Sequence, residues 1–174
     1  MNISLIGMMG SGKTTVGKLL AARTGRRFLD VDTVIEQERG MTIAEIFSGA
    51  GEREFRRLEK EAVEKLLKTD NMVVSTGGGL AADIENMDRL KKMGPVIWLY
   101  ASPEETLKRV GGTEKRPLLN VEEPEKRIKS ILSARESCYS RADFRIDTTG
   151  KTPEQITEEI LTFLGDYSHG GCKP

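Results

Sequence analysis

The sequence is poor in the features that mark secreted, membrane-spanning or nucleic-acid-binding chains. Only two cysteines, Cys138 and Cys172, occur in 174 residues, too few for a disulfide framework and in keeping with a reducing compartment. Charge of either sign is not in excess: 27 Lys+Arg balance 27 Asp+Glu. No sequence-wide field therefore draws the chain to a polyanion or an anionic surface. No apolar run approaches the roughly 20 residues that cross a bilayer. The opening Met1–Ile6 has no basic stretch and meets Gly7 too early for a secretory leader. These absences leave the expectation of one cytoplasmic domain, a monomer by default because the chain is neutral and has no heptad seam. A hydrophobic content of 37% is enough for its core.

Short apolar runs alternate with helical patterns along most of the length. Ile3–Ile6, Phe28–Val31, Val73–Ser75, Val96–Leu99 and Phe144–Ile146 are bounded by Gly, Asp or Pro, as buried parallel strands are. Between them, Val16, Leu19 and Leu20 share a helical face, as do Phe55, Leu58, Ala62 and Leu66, and Ile156, Ile160 and Leu164. Thr42-Ile-Ala-Glu45, Ser102-Pro-Glu-Glu105 and Thr152-Pro-Glu-Gln155 read as capping boxes. The alternation predicts an α/β sandwich with a parallel sheet, a single domain over residues 1–166. Two stretches interrupt it. Residues 32–68 place helical patterns in series, and 111–124 have no periodicity, which suits a lid. Residues 167–174 read as a frayed tail.

Gly7-Met-Met-Gly-Ser-Gly-Lys-Thr14 fits G-x-x-x-x-G-K-[ST], between a predicted strand and a predicted helix. Backbone N–H groups of such a loop (Gly10, Ser11, Gly12) converge on phosphate oxygens at a positive helix end. Lys13, expected at an exposed loop–helix junction, reaches the outer phosphates, and the Thr14 hydroxyl is suited to Mg²⁺. These features define a nucleoside triphosphate site. The chain is short for a motor or helicase and has no Asn-Lys-x-Asp run to read guanine, so a small-metabolite kinase is the natural remainder.

The acceptor side is read from the residues that close the other strands and from the helices. Asp30 and Asp32 close the second run, and period-two spacing puts both carboxylates on one face if the strand persists. One suits a water-held Mg²⁺ and the other a hydroxyl proton, although either could simply cap the next helix. Three glycines, Gly77, Gly78 and Gly79, come after the third run and allow positive φ or close ligand approach. Ser75 stands where an acid often supports the metal. Arg56 and Arg57 lie on one helix, Arg135 on another ahead of Tyr139, and Arg116 in the irregular stretch. Guanidinium forks suit carboxylates and transferring phosphoryl groups.

Together, Gly10-Ser-Gly-Lys-Thr-Thr15, Leu29-Asp-Val-Asp32, Phe55-Arg56-Arg57 within Glu52–Glu59, Gly77-Gly-Gly79, Arg116-Pro-Leu-Leu119 and Arg135-x-x-x-Tyr139 resemble the shikimate kinase family. The resemblance implies a three-layer P-loop fold of the nucleoside-monophosphate-kinase type around a five-stranded parallel sheet. It implies transfer of the ATP γ-phosphoryl to the 3-hydroxyl of shikimate, with Mg²⁺, in aromatic amino-acid synthesis. Under it, Gly10 to Thr15 bind ATP, with Lys13 catalytic, Thr14 ligating the metal and Asp30 supporting it through water. Asp32 holds the acceptor hydroxyls and is the base. Arg56, Arg135 and Gly77 to Gly79 bind the acceptor. Arg116 closes on the phosphates from the lid, and Arg109 lies near adenine. Lys151 stands where some members place an arginine on the nucleotide.

Other small P-loop kinases, for gluconate or a nucleoside monophosphate, are the nearest rivals. Only 5% of residues are aromatic, which disfavours a nucleobase pocket. A nucleotide switch would have no use for an acid beside an arginine set. A metal site on His169 and Cys172 offers too few ligands.

Overall fold

The computed structural model describes residues 1–110 and 123–169. Its five strands are β1 (Ile3–Ile6), β2 (Arg27–Asp30), β3 (Met72–Ser75), β4 (Val96–Tyr100) and β5 (Phe144–Asp147). They pair in parallel in the order β2-β3-β1-β4-β5. The helices are α1 (Lys13–Thr24), α2 (Val31–Arg39), α3 (Ile43–Leu66), α4 (Ile84–Met93), α5 (Pro103–Val110), α6 (Pro124–Tyr139) and α7 (Pro153–His169), with a short 3₁₀ turn at Leu80–Ala82. Among the described residues, no helix is long and apolar enough to cross a membrane.

Alternation along the strands creates the three layers. Ile3, Leu5, Val73, Ile97, Leu99 and Ile146 pack with Val16, Leu20, Ile156 and Ile160 of α1 and α7. Ile6, Val74, Val96 and Trp98 point the other way, onto Phe55, Leu58, Val63, Met87, Leu90, Ile128 and Tyr139 from α3, α4 and α6. The central runs β1, β3 and β4 are therefore covered on both faces, which is why they look uniformly apolar, while the edge strands β2 and β5 are only partly buried. Their ends are level: Asp30 pairs with Ser75, and Ser75 with Leu5.

Local chemistry fixes the helix starts. Thr42 and Glu45 form a reciprocal capping box on α3, and Thr152 and Gln155 bond reciprocally at the start of α7. At Ser102 only the hydroxyl-to-backbone half is seen, accepting from Glu105 N–H. The stretch 32–68 resolves into α2 and α3, and α3 is broken at Gly51, where φ 80° and ψ 172° leave the helical region.

Three expectations are corrected. The second strand ends at Asp30 rather than Val31, because the Asp30 carboxylate accepts the Asp32 N–H and starts α2 there. Asp32 thus lies in a helical first turn, and period-two spacing does not bring the two acids together. The last helix continues through His169, three residues into the stretch read as a frayed tail. Pro124, counted with the irregular stretch, opens α6. Residues 111–122, with Arg116, and residues 170–174, with Cys172, lie outside the described residues.

Gly17 is where α1 meets the sheet: a methyl there would stand 2.5 Å from Phe28 Cε2 and 3.3 Å from Leu5 Cδ1. Gly17→Ala is expected to lower stability by about 1–3 kcal/mol through overpacking, despite the better helix propensity of alanine. Urea unfolding with an unchanged m-value and a lower midpoint is the expected observation.

Candidate active site

All five strands point their carboxyl ends at one edge of the sheet, and ligands of open α/β folds bind there. A cleft of about 390 Å³ lies at that edge, lined by Met9, Gly10, Gly12, Lys13, Thr14, Thr15, Asp30, Asp32, Ser75, Thr76, Gly77, Gly78 and Arg109. The loop after β1 forms one wall. Gly10 and Gly12 adopt φ 75° and 92°, a turn that side chains resist, and Gly12 caps α1. Ser11 is fully buried.

Lys13 differs from its expected exposure. It is only 8% exposed, and its ammonium donates to the carbonyls of Gly7 at 2.9 Å and Met8 at 2.8 Å. The loop thus holds its own cation beside the place a phosphate would take. Thr14 stays exposed, and its hydroxyl donates to Asp30 Oδ2 at 2.9 Å. Asp30 serves two elements at once, since Oδ1 caps α2.

Gly77 and Gly78 line the cleft beside the phosphate loop, and Gly79 follows them. None has a left-handed φ, so conformational freedom does not explain the triplet. Space does. A methyl on Gly77 would lie 2.5 Å from Asp32 Oδ1 and 3.1 Å from Glu59 Oε1. One on Gly78 would lie 3.5 Å from Arg135 Nη1, and one on Gly79 would lie 2.6 Å from Arg56 Cζ. Asp32, Arg56 and Arg135, named from sequence, are brought together against this bare backbone.

Sequence reasoning missed Glu59 as a member of the group. It is fully buried; Oε2 accepts from Arg56 Nη1 at 2.6 Å, and Oε1 has no partner among the described residues. An acid among Phe55, Leu58, Ala62 and Leu66 on an apolar stripe was the available signal. Burial pushes Glu59 up to about 7, against the pull of Arg56. Burial, reinforced by Asp30, likewise pushes Asp32 up to about 6. Oδ1 of Asp32 is also buried and unpartnered among the described residues. A carboxyl poised near neutrality in a cleft is suited to taking a proton.

Arg56 is further held by Glu52, at 3.2 Å from Nε and 2.9 Å from Nη2. Arg57, one position round the helix, pairs instead with Glu54 and Glu61 on the exposed face. Arg135 Nη1 donates to the Gly78 carbonyl at 2.8 Å, and the Tyr139 hydroxyl donates to the same oxygen. Across the cleft, Arg109 donates to Thr148 Oγ1 at 3.0 Å, to the Thr148 carbonyl at 2.8 Å and to the Gly10 carbonyl at 3.3 Å. It therefore ties α5 and the end of β5 to the phosphate loop. Lys151 turns away to Glu159 at 2.7 Å and does not line the cleft. Among the described residues no three His, Cys, Asp or Glu side chains gather as a metal cage. Thr14 and Asp30 offer one hydroxyl and one carboxylate, the sparse oxygen set that suits Mg²⁺ shared with phosphates and water.

A phosphate loop feeding α1, a level parallel sheet, and an acid–arginine cluster beside them define a P-loop kinase for a small anionic acceptor. The chain belongs to the shikimate kinase family: the family model described as Shikimate kinase matches residues 9–165. The shikimate kinase of Persephonella marina is 51% identical over 160 residues, 92% of this chain and 96% of that one. That of Thermodesulfovibrio yellowstonii is 48% identical over 169 residues, 97% and 98% of the two chains. A solved shikimate kinase from Acinetobacter baumannii in complex with shikimate has a TM-score of 0.91 at 38% identity, covering 99% of this chain and 95% of that one.

The raised carboxyls carry a sign. Between its ordinary value and about 7, folded Glu59 binds more proton than the unfolded chain does, so rising pH through that window costs stability. In the ligand-free protein, the stability of wild type relative to Glu59→Gln is expected to fall by about 2–3 kcal/mol from pH 4.5 to 7.5. Denaturant titrations of both proteins across that range provide the measurement.

Proposed function

We infer that this protein is a shikimate kinase, transferring the γ-phosphoryl of ATP to the 3-hydroxyl of shikimate to give shikimate 3-phosphate and ADP, a step toward aromatic amino acids. The observation that carries the reading is the convergence of Asp32, Arg56 and Arg135 on Gly77–Gly79 beside the phosphate loop, with Asp32, Gly77 and Gly78 lining the cleft and Arg56 and Arg135 set next to them, outside its lining. Membership of the family and the likeness to a shikimate-bound relative support it. On this reading Arg56 and Arg135 grip the acceptor carboxylate, and Gly77 to Gly79 let it lie against backbone.

The chemistry is in-line displacement, which asks mainly for positioning and charge. The acceptor oxygen bonds to the γ-phosphorus as the bond to the β–γ bridging oxygen breaks, and ADP leaves with that electron pair. Asp32 accepts the hydroxyl proton; raised to about 6, it is ionised at neutral pH yet basic enough to take it. Lys13 exchanges the carbonyls of Gly7 and Met8 for phosphate oxygens. Gly10, Ser11, Gly12 and Thr15 complete the cradle, and Arg109 borders the adenosine end. Thr14 directly, and Asp30 through water, would hold Mg²⁺, which neutralises phosphate charge when bound. Closure of the stretch at about 111–124 with Arg116 on the phosphates belongs to the same reading. So do a monomeric state and a cytoplasmic location.

Incubation with ATP and, separately, shikimate, gluconate, AMP, CMP or no acceptor tests the assignment. ATP consumption with shikimate alone is expected, and turnover restricted to gluconate would replace it with the sugar-kinase reading. Lys13→Ala is expected to abolish turnover with shikimate while circular dichroism stays native. Arg56→Ala and Arg135→Ala are each expected to weaken acceptor binding roughly 10- to 100-fold, the loss of one charge-assisted pair. Arg57→Ala, whose partners lie on the exposed face, is expected to change it less than threefold, roughly the value of a surface pair. Calorimetric titration separates these values from turnover.

A further inference from the structure

Tyr139 is fully buried, yet its hydroxyl is spent on a backbone carbonyl in the acceptor wall. That carbonyl, of Gly78, has two donors: Tyr139 Oη and Arg135 Nη1. A peptide oxygen has two lone pairs, so both are used. Arg135 Nη1 also donates to Met8 Sδ at 3.7 Å, so among the described residues Nε and Nη2 are the nitrogens left for a ligand. No peptide among the described residues is cis, so the N–H of Gly79 points opposite to the Gly78 carbonyl. That N–H also has no protein partner among the described residues.

We propose that Tyr139 is a positioning residue for acceptor binding. By pinning the Gly78–Gly79 peptide, it aims the open edge of Arg135 and the free N–H of Gly79. The tyrosine does not touch the acceptor. It is anchored from behind by Trp98, whose ring centroid lies 5.6 Å away, and its position at the end of α6, four residues after Arg135, places both donors on one helical face. Burial pushes the phenol up, with Arg135 opposing, so the hydroxyl remains a donor across the working range. Without it the Gly78 carbonyl relies on Arg135 alone, and the peptide and the guanidinium lose their common reference point.

The inference rests on the assignment of Arg135 to the acceptor carboxylate, and the experiment separates the two. Tyr139→Phe keeps the ring and removes only the hydroxyl, while 4-aminophenylalanine at 139, introduced by codon suppression, keeps a weaker donor. Shikimate KM is expected to rise about tenfold in the first and by less in the second, with ATP KM unchanged and kcat reduced less than KM is raised. In an Arg135→Ala background, Tyr139→Phe is expected to add less than twofold, because its effect passes through that arginine. An unchanged shikimate KM in either folded variant, or a full additive effect without Arg135, overturns the proposal. So does a loss of thermal stability with shikimate KM preserved, which marks a purely structural hydroxyl. Should Tyr139→Phe not fold, the aminophenylalanine variant decides alone by the same KM criterion. Absence of shikimate turnover in wild type would instead overturn the assignment of the acceptor.

Discussion

The acceptor wall depends on two residues, Gly77 and Gly79, having no Cβ. Two acids, Glu59 buried and Asp32 half-buried, and two arginines, drawn from α2, α3 and α6, come within van der Waals reach of the backbone at Gly77–Gly79. Charges of both signs can share so small a volume because the backbone occupies almost none of it. A methyl group at Gly77 or Gly79 would stand where a carboxylate oxygen or a guanidinium carbon already is. The constraint is steric, and the electrostatics derive from it: Asp32 and Glu59 are pushed up because the packing that admits them excludes water.

The site is satisfied in places and unsatisfied in others, and the division is informative. Lys13, Arg109 and the Gly78 carbonyl have protein partners. One oxygen each of Asp32 and Glu59 has none among the described residues. Buried acceptors without donors are costly in a finished core. Of the two acids, Asp32 lines the cleft and Glu59 does not. Lys13 and Arg109 are thus matched within the protein, while one oxygen of each acid and part of the Arg135 fork are not matched among the described residues.

Much of this was legible from the residues. Short apolar runs between turn signals located all five strands to within a residue or two, most plainly β1, β3 and β4, because parallel strands buried on both faces leave a plain record. The phosphate loop was legible because its chemistry is local. Asp30 and Asp32 both line the cleft, but the strand that would have put them on one face ends at Asp30, which caps α2; capping was among the readings the residues allowed, and propensity does not reveal which Asp caps. The glycine triplet was noted for positive φ or close ligand approach; none takes a left-handed φ, and at Gly77 and Gly79 the missing Cβ leaves space that residues distant in sequence come to fill. Glu59 and the hydroxyl of Tyr139 were hidden for the same reason. Their roles exist only after three helices have packed against one loop.

The order β2-β3-β1-β4-β5 has a consequence for how such a protein can change over generations. Arg109 and Thr148 come from the β4–β5 side of the sheet, and Asp32, Arg56 and Glu59 from elements next to β2 and β3. The phosphate loop after β1 is the seam between them. Arg135 crosses that seam, reaching from α6, which leads into β5, to Gly78 after β3 and to Met8 in the loop. Selection can therefore rework either half of the sheet only while this bridge is kept.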